Sequence, residues 1–129
     1  MPRNMSFALT TEQFKNKTKT VTRRKGWMSL KPGDVVMGCK KCMGLKPGEK
    51  LERLGLIRIT DVRREPLDFI TDDDVAREGF PELNSEDFIR MFLSHMGGTK
   101  DQEVTRIKYE YLCSVQPELL DTKGLVVNE

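Results

Sequence analysis

Two nearly identical pentapeptides, LKPGD at 30–34 and LKPGE at 45–49, limit what the chain around them can become. In each, proline stands at the second turn position and glycine at the third, the combination a type II turn requires. The likeness is read as shared turn chemistry and not as a fold repeat. Turns set so close together leave room only for short strands. DVVMG between them reads as one, and ERLGLIRITDVRREPL after the second contains a longer one. Simple alternation in that longer strand predicts Leu56, Arg58, Thr60 and Val62 on one face, with Ile57, Ile59 and Asp61 on the other.

The rest of the chain follows the same scale. MSFAL reads as a short strand, and Thr10 or Thr11 then caps a helix of about two turns, with Gln13 placed to complete a capping box from Thr10. TVTRR is β-branched and alternating, a second strand. Thr71 caps the short helix DDDVARE, whose aspartates complement the positive end of its dipole, and Gly79 stops it. Asn84 or Ser85 caps the longest helix, SEDFIRMFLSHM, where Phe88, Met91, Phe92 and Met96 form an apolar stripe assigned to the core. EVTRIKYEYL closes the series as a strand, with Val104, Ile107, Tyr109 and Tyr111 available for packing and one shift of phase. The order β α β β β α α β contains no long βαβ crossover. It predicts an α+β fold, a small mostly antiparallel β-barrel with short helices packed at its side. One domain is expected over 1–113 and a less ordered tail over 114–129, with LVV available as a short edge strand.

Composition narrows the setting. At 129 residues, 37% hydrophobic and 33% charged, the chain is of single-domain size with a heavily charged surface. No apolar run approaches the roughly 18 residues of a membrane helix, and MPRNMSFALTTEQF lacks a secretory apolar region. A cytoplasmic protein with no membrane partner is expected, and a monomer is the simplest state. Three cysteines, an odd number, argue against a disulfide framework.

The net charge of +2 hides an asymmetry. Residues 1–53 hold 13 Lys and Arg against 4 Asp and Glu, a net +9, whereas 54–129 hold 9 against 16, a net −7. Either the halves neutralise one another on folding or a basic face meets phosphates. The densest cluster is KTKTVTRR at 17–24.

That cluster, followed by a tryptophan, LKPGD, a strand, the TDDDVAREGF helix and VTRIKYEYL, resembles an ASCH domain, a relative of the RNA-binding PUA fold, over residues 6–112. The family's GxKxxExR signature falls on Lys17, Lys19, Thr22 and Arg24. The lysine and arginine agree; the glycine and glutamate do not. Threonine at the glutamate position is similar to a branch that hydrolyses N-acetylated cytidine with a Lys, Thr and Glu triad. The resemblance carries those roles to Lys19, Thr22 and Glu78. It implies binding of RNA or a nucleotide- or nucleoside-like ligand in a basic pocket beside the barrel, or alternatively cleavage of an N-acylated cytidine-type nucleoside.

The chemistry is coherent. A threonine needs a base to take its proton, and neighbouring Lys17, Arg23 and Arg24 would lower the pKa of Lys19 by like-charge repulsion, as would burial. Glu78 stands in the last turn of its helix, where the dipole disfavours a carboxylate, so a salt bridge to an N-terminal cation or a functional role must account for it. Residues three apart on a regular strand face opposite ways, so Lys19 and Thr22 share a pocket only if the strand starts after Lys19 or is bulged. For binding alone, Lys17, Lys19, Arg23 and Arg24 supply cations, and Trp27 is either a stacking surface or a barrel plug.

Cys39 and Cys42 have the CxxC spacing of a zinc knuckle, with Cys113 and His95 the remaining ligand candidates. Structural zinc sites usually present two close pairs, and here the second is missing. A reduced pair in a hairpin loop is the expectation, with no metal and no cofactor. His95, near a helix end, is read as a capping cation or a surface residue. A single histidine also argues against metal-free RNA cleavage by a histidine pair.

Overall fold

The structure, a computed structural model, describes residues 3–42 and 46–112. Its five strands are β1 (Arg3–Ser6), β2 (Val21–Arg24), β3 (Val35–Cys39), β4 (Arg53–Pro66) and β5 (Glu103–Tyr111), and its α-helices are α1 (Thr11–Lys15), α2 (Asp72–Arg77) and α3 (Ser85–Met96). The strands form one curled sheet in the order β1-β3-β4-β5-β2, a half-barrel in which β1 and β3 run parallel and every other neighbouring pair antiparallel. The expected tail over 114–129, its LVV strand and Cys113 lie outside the described residues. Among the described residues no helix is long and apolar enough to cross a membrane.

Two apolar clusters flank the sheet. The first fills the curl, where Met5, Phe7, Phe14, Ile57, Ile59 and Tyr109 pack together. The second gathers Leu67, Val75, Phe88, Phe92 and Val104 between the helices and the sheet. β5 serves both, because successive side chains along a strand point to opposite faces of the sheet. Ile107 and Val104 are three residues apart and enter different clusters. The phase shift expected in this strand is therefore not an irregularity; its pairing runs unbroken from Glu103 to Tyr111 on β4 except where β4 itself bulges.

That bulge corrects the alternation expected in β4. Ile59 pairs with Tyr109 and Asp61 with Lys108, so Thr60 is the extra residue. Thr60 and Asp61 are both exposed, and Val62 joins the Ile57 and Ile59 side, packing on the first cluster.

The helix ends follow local chemistry with one exception. Thr71 accepts from Asp74 N and Asn84 from Asp87 N, the N-caps read from sequence. At α1 no capping box forms: Thr10 makes no side-chain cap bond, while Thr11 Oγ1 donates to Phe7 O at 2.8 Å. A 3-10 turn at Ala8–Thr10 precedes the helix and leaves Thr10 buried, and Gln13 points away to donate to Gly79 O.

Candidate functional site

α1 ends with Lys17 in the left-handed region, φ 62°, which turns the chain toward α2. The next residues dock on the C-terminus of α2: Thr20 N donates to Arg77 O at 2.8 Å, satisfying one of the carbonyls a helix end leaves free. Lys19 Nζ satisfies another, donating to Glu78 O at 2.9 Å, and pairs with Glu78 Oε1 at 2.8 Å. Tyr111 Oη holds Lys19 O at 2.6 Å from the opposite side. β2 begins at Val21, beyond Lys19, so strand alternation does not separate Lys19 from Thr22.

Glu78 is the C-cap of α2, and Gly79 behind it has φ 103°. A Cβ on Gly79 would meet Gln13 Cγ at 2.8 Å and Lys19 Cβ at 3.5 Å, so glycine lets this corner close.

Below the Lys19–Glu78 pair lies a buried charge network. Arg23 Nη1 donates to Glu78 Oε2 at 3.2 Å, and its Nη2 to Asp74 Oδ2 at 2.6 Å and Glu65 Oε2 at 2.8 Å. Arg106 grips Asp74 through Nε at 2.7 Å and Nη2 at 3.0 Å. Three cations thus face three carboxylates. Burial pushes the Asp74 carboxyl upward, but hydrogen bonds and charge from Arg106 and Arg23 outweigh it and hold the group well below the usual carboxylate range. For Lys19 the balance goes the other way. Burial lowers its pKa, the Glu78 carboxylate offsets part of this, and Arg24 and Arg23 add to the lowering.

A cleft of about 180 Å³ opens above this floor. Lys19, Thr22, Arg24 and Glu78 lie at its polar side, whereas Phe7, Phe80, Phe88, Met91 and Phe92 form apolar walls. Leu9 and Met96, 50% and 45% exposed, stand at its margin with His95. The cleft lies where the two apolar clusters meet, with Phe7 from one and Phe88 and Phe92 from the other. The α3 stripe assigned to the core is thus also a cleft wall. Its volume is small beside the ~300–1,000 Å³ of pockets enclosing a drug-sized ligand. It suits a single ring and its substituents.

Of the residues singled out in the sequence, Lys19, Thr22, Arg23, Arg24 and Glu78 all line this cleft. Lys17 does not; its ammonium lies 5.9 Å from the Tyr111 ring centroid. Trp27, with φ 63°, packs partly buried on the first cluster, and the Arg3 guanidinium covers its ring at 4.0 Å. It lines a second depression beside the cleft. Cys39 is buried, and burial together with Cys42 pushes its thiol up to about 11. Among the described residues no three His, Cys, Asp or Glu side chains gather as a metal site. His95 Nδ1 lies 3.0 Å from Met91 O on an exposed face of α3. Asp74, Glu65 and Arg106 escaped the sequence reading. The one available sign was Arg106, a cation two residues from Val104 and so on the same face of the strand.

The half-barrel with helices at its side is an ASCH-like α+β fold. It resembles the crystal structure of a DUF984-family protein from Enterococcus faecalis V583, with TM-score 0.62 and 17% identity over 87% of this chain and 80% of that one. It also resembles the ASCH domain from Lactobacillus crispatus JV V101, with TM-score 0.54 and 13% identity over 84% of this chain and 78% of that one. No protein-family profile and no curated protein sequence matches the chain.

Proposed function

We propose that the cleft binds a nucleoside-type small molecule, its base entering between Phe7 and the phenylalanines of α3 and meeting the polar floor of Lys19, Thr22 and Glu78. The observation that carries this reading is a cleft with aromatic walls and a buried, hydrogen-bonding floor, the arrangement by which pockets hold and orient planar polar rings. Extended RNA contact along KTKTVTRR is less favoured, because Lys19 and Arg23 have side chains 3% and 1% exposed and are bound to carboxylates. Titration calorimetry with cytidine and N-acetylcytidine tests the pocket. Micromolar to millimolar binding that weakens at least fivefold in Thr22→Val supports it, and heatless titrations with both compounds remove it.

A second reading, cleavage of an N-acylated cytidine, is favoured by the company Thr22 keeps. Thr22 Oγ1 accepts from Arg24 Nε at 3.1 Å, and Lys19, whose pKa is lowered, borders the same cleft. In this reading neutral Lys19 takes the Thr22 proton while Oγ1 attacks the acyl carbon. The C–N bond breaks, the departing exocyclic nitrogen receives that proton, and water hydrolyses the resulting threonyl ester. Glu78 positions the Lys19 amine. Released cytidine should appear with the wild type and fall at least a hundredfold in Thr22→Val and Lys19→Met. Because Lys19 acts unprotonated, the rate should climb with pH and level off above its lowered pKa. A folded wild type that releases no cytidine leaves binding as the function.

A further inference from the structure

Arg24 stands apart from the charge network beneath it. Lys19, Arg23 and Arg106 are matched by Glu78, Asp74 and Glu65, whereas Arg24 forms no ion pair with a carboxylate among the described residues. Its side-chain hydrogen bond there goes from Nε to Thr22 Oγ1, and its guanidinium lies 4.8 Å from the Phe7 ring centroid. The terminal nitrogens, the fork that grips carboxylates and phosphates in pairs, are left to the cleft. Burial depresses the Arg24 pKa, and the Glu78 carboxylate offsets only part of that, so its charge lacks full compensation.

Arg24 also borders the neighbouring depression, where its companions are Arg23, Lys25, Gly26, Trp27, Phe92 and Met96. Three cations line that depression and no carboxylate does. Arg23 is committed to the network, but Lys25 is exposed, and its Nζ spends one contact on Met96 O at the end of α3, 3.1 Å away. An ammonium has three donors, so two remain. The turn that carries Lys25 is fixed by Thr105 Oγ1 donating to Gly26 O at 2.7 Å.

We propose that the ligand is phosphorylated, with its base in the cleft and its phosphate held by Arg24 and Lys25 where the cleft meets the second depression. This rests on the reading of the cleft as a nucleoside pocket and specifies the chemical class: a nucleotide unit, either free or at the end of an RNA chain. A neutral nucleoside would fill the aromatic walls yet leave the Arg24 fork unmatched.

Titration calorimetry of the intact protein with cytidine, cytidine monophosphate, inorganic phosphate and a short cytidine oligoribonucleotide separates the possibilities. Cytidine monophosphate should bind at least tenfold more tightly than cytidine in low salt, the advantage shrinking as salt rises. Lys25→Met should reduce that advantage several-fold while leaving cytidine affinity nearly unchanged, and Arg24→Met, which also removes a donor from the cleft itself, should weaken the monophosphate several-fold more than cytidine. Lys25 is exposed, so its variant carries the test if Arg24→Met loses its circular dichroism. Equal affinity for cytidine and its monophosphate overturns the phosphate site and leaves the nucleoside pocket standing. Phosphate alone matching the monophosphate keeps the anion site and removes the pocket reading. If none of the four probes binds, both fall. Tighter binding of the oligoribonucleotide than of the monophosphate assigns the phosphate to an RNA chain, and the reverse assigns it to a free nucleotide.

Discussion

Glu78 occupies a place that penalises a carboxylate twice, once by the negative end of the α2 dipole and once by burial, its side chain being 4% exposed. Lys19 relieves both, because one ammonium bonds the carboxylate and the free carbonyl of the same residue. Gly79 makes the approach possible, and its replacement offers a way to measure the corner. Gly79→Ala adds strain at φ 103° and a contact with Gln13, whereas Gly33→Ala adds strain at φ 96° with nothing within 4 Å. Both should lose about 1–3 kcal/mol of stability to backbone strain. Gly79→Ala should lose more in urea denaturation, and equal losses would show that close packing on Gln13 and Lys19 plays no part. At this scale the sequence was partly legible. The misplaced charge of Glu78 and the signature positions pointed to Lys19, Thr22 and Glu78. Asp74, Glu65 and Arg106 are brought together only by sheet pairing and by α2, and local pattern assigned Asp74 merely to a helix dipole.

Among the elements, the departures from simple reading have separate origins, one of them a side chain, Gln13, whose partner lies far along the chain. Thr11 bonds Phe7 O and Gln13 reaches Gly79 O, so the TTEQ pattern yields no capping box. Thr60 bulges out of β4, and two polar residues in succession, Thr60 and Asp61, were its trace in a strand otherwise read as alternating. Where the partner is local, as at Thr71 and Asn84, sequence and structure agree. The α3 cap is open to test because Asn84 Oδ1 accepts from Asp87 N at 2.8 Å at an exposed helix start. Asn84→Ala should cost about 1 kcal/mol and Asn84→Asp little, since aspartate caps as well as asparagine. Equal midpoints for all three proteins in urea would mean that the cap bond does not hold the helix that walls the cleft.

For the whole molecule, the charge asymmetry resolves as mutual neutralisation at the centre. Lys19 and Arg23 from the basic half are buried against Glu65, Asp74 and Glu78 from the acidic half. Arg24 and Lys25, beside the cleft, lie outside that match. The sequence showed the imbalance but not its fate, because opposite charges far apart in the chain give no sign of which will meet. The arrangement ties stability to pH. Asp74 and Glu65 have folded pKa values below those of the unfolded chain, with burial opposing and the arginine hydrogen bonds prevailing. Their contribution is therefore complete above the unfolded carboxylate range of about 4 and is lost as pH falls through the lower folded values. Thermal unfolding should show a midpoint that is steady from neutral pH to about 5 and drops steeply below about 4. Asp74→Asn should lower stability at neutral pH by about 3–5 kcal/mol, since it leaves Arg23 and Arg106 short of a buried counter-charge. It should also flatten the acid slope, because the group whose protonation drives the loss is gone. A slope unchanged in Asp74→Asn would move the acid sensitivity elsewhere in the molecule and separate the network beneath the cleft from the stability of the fold.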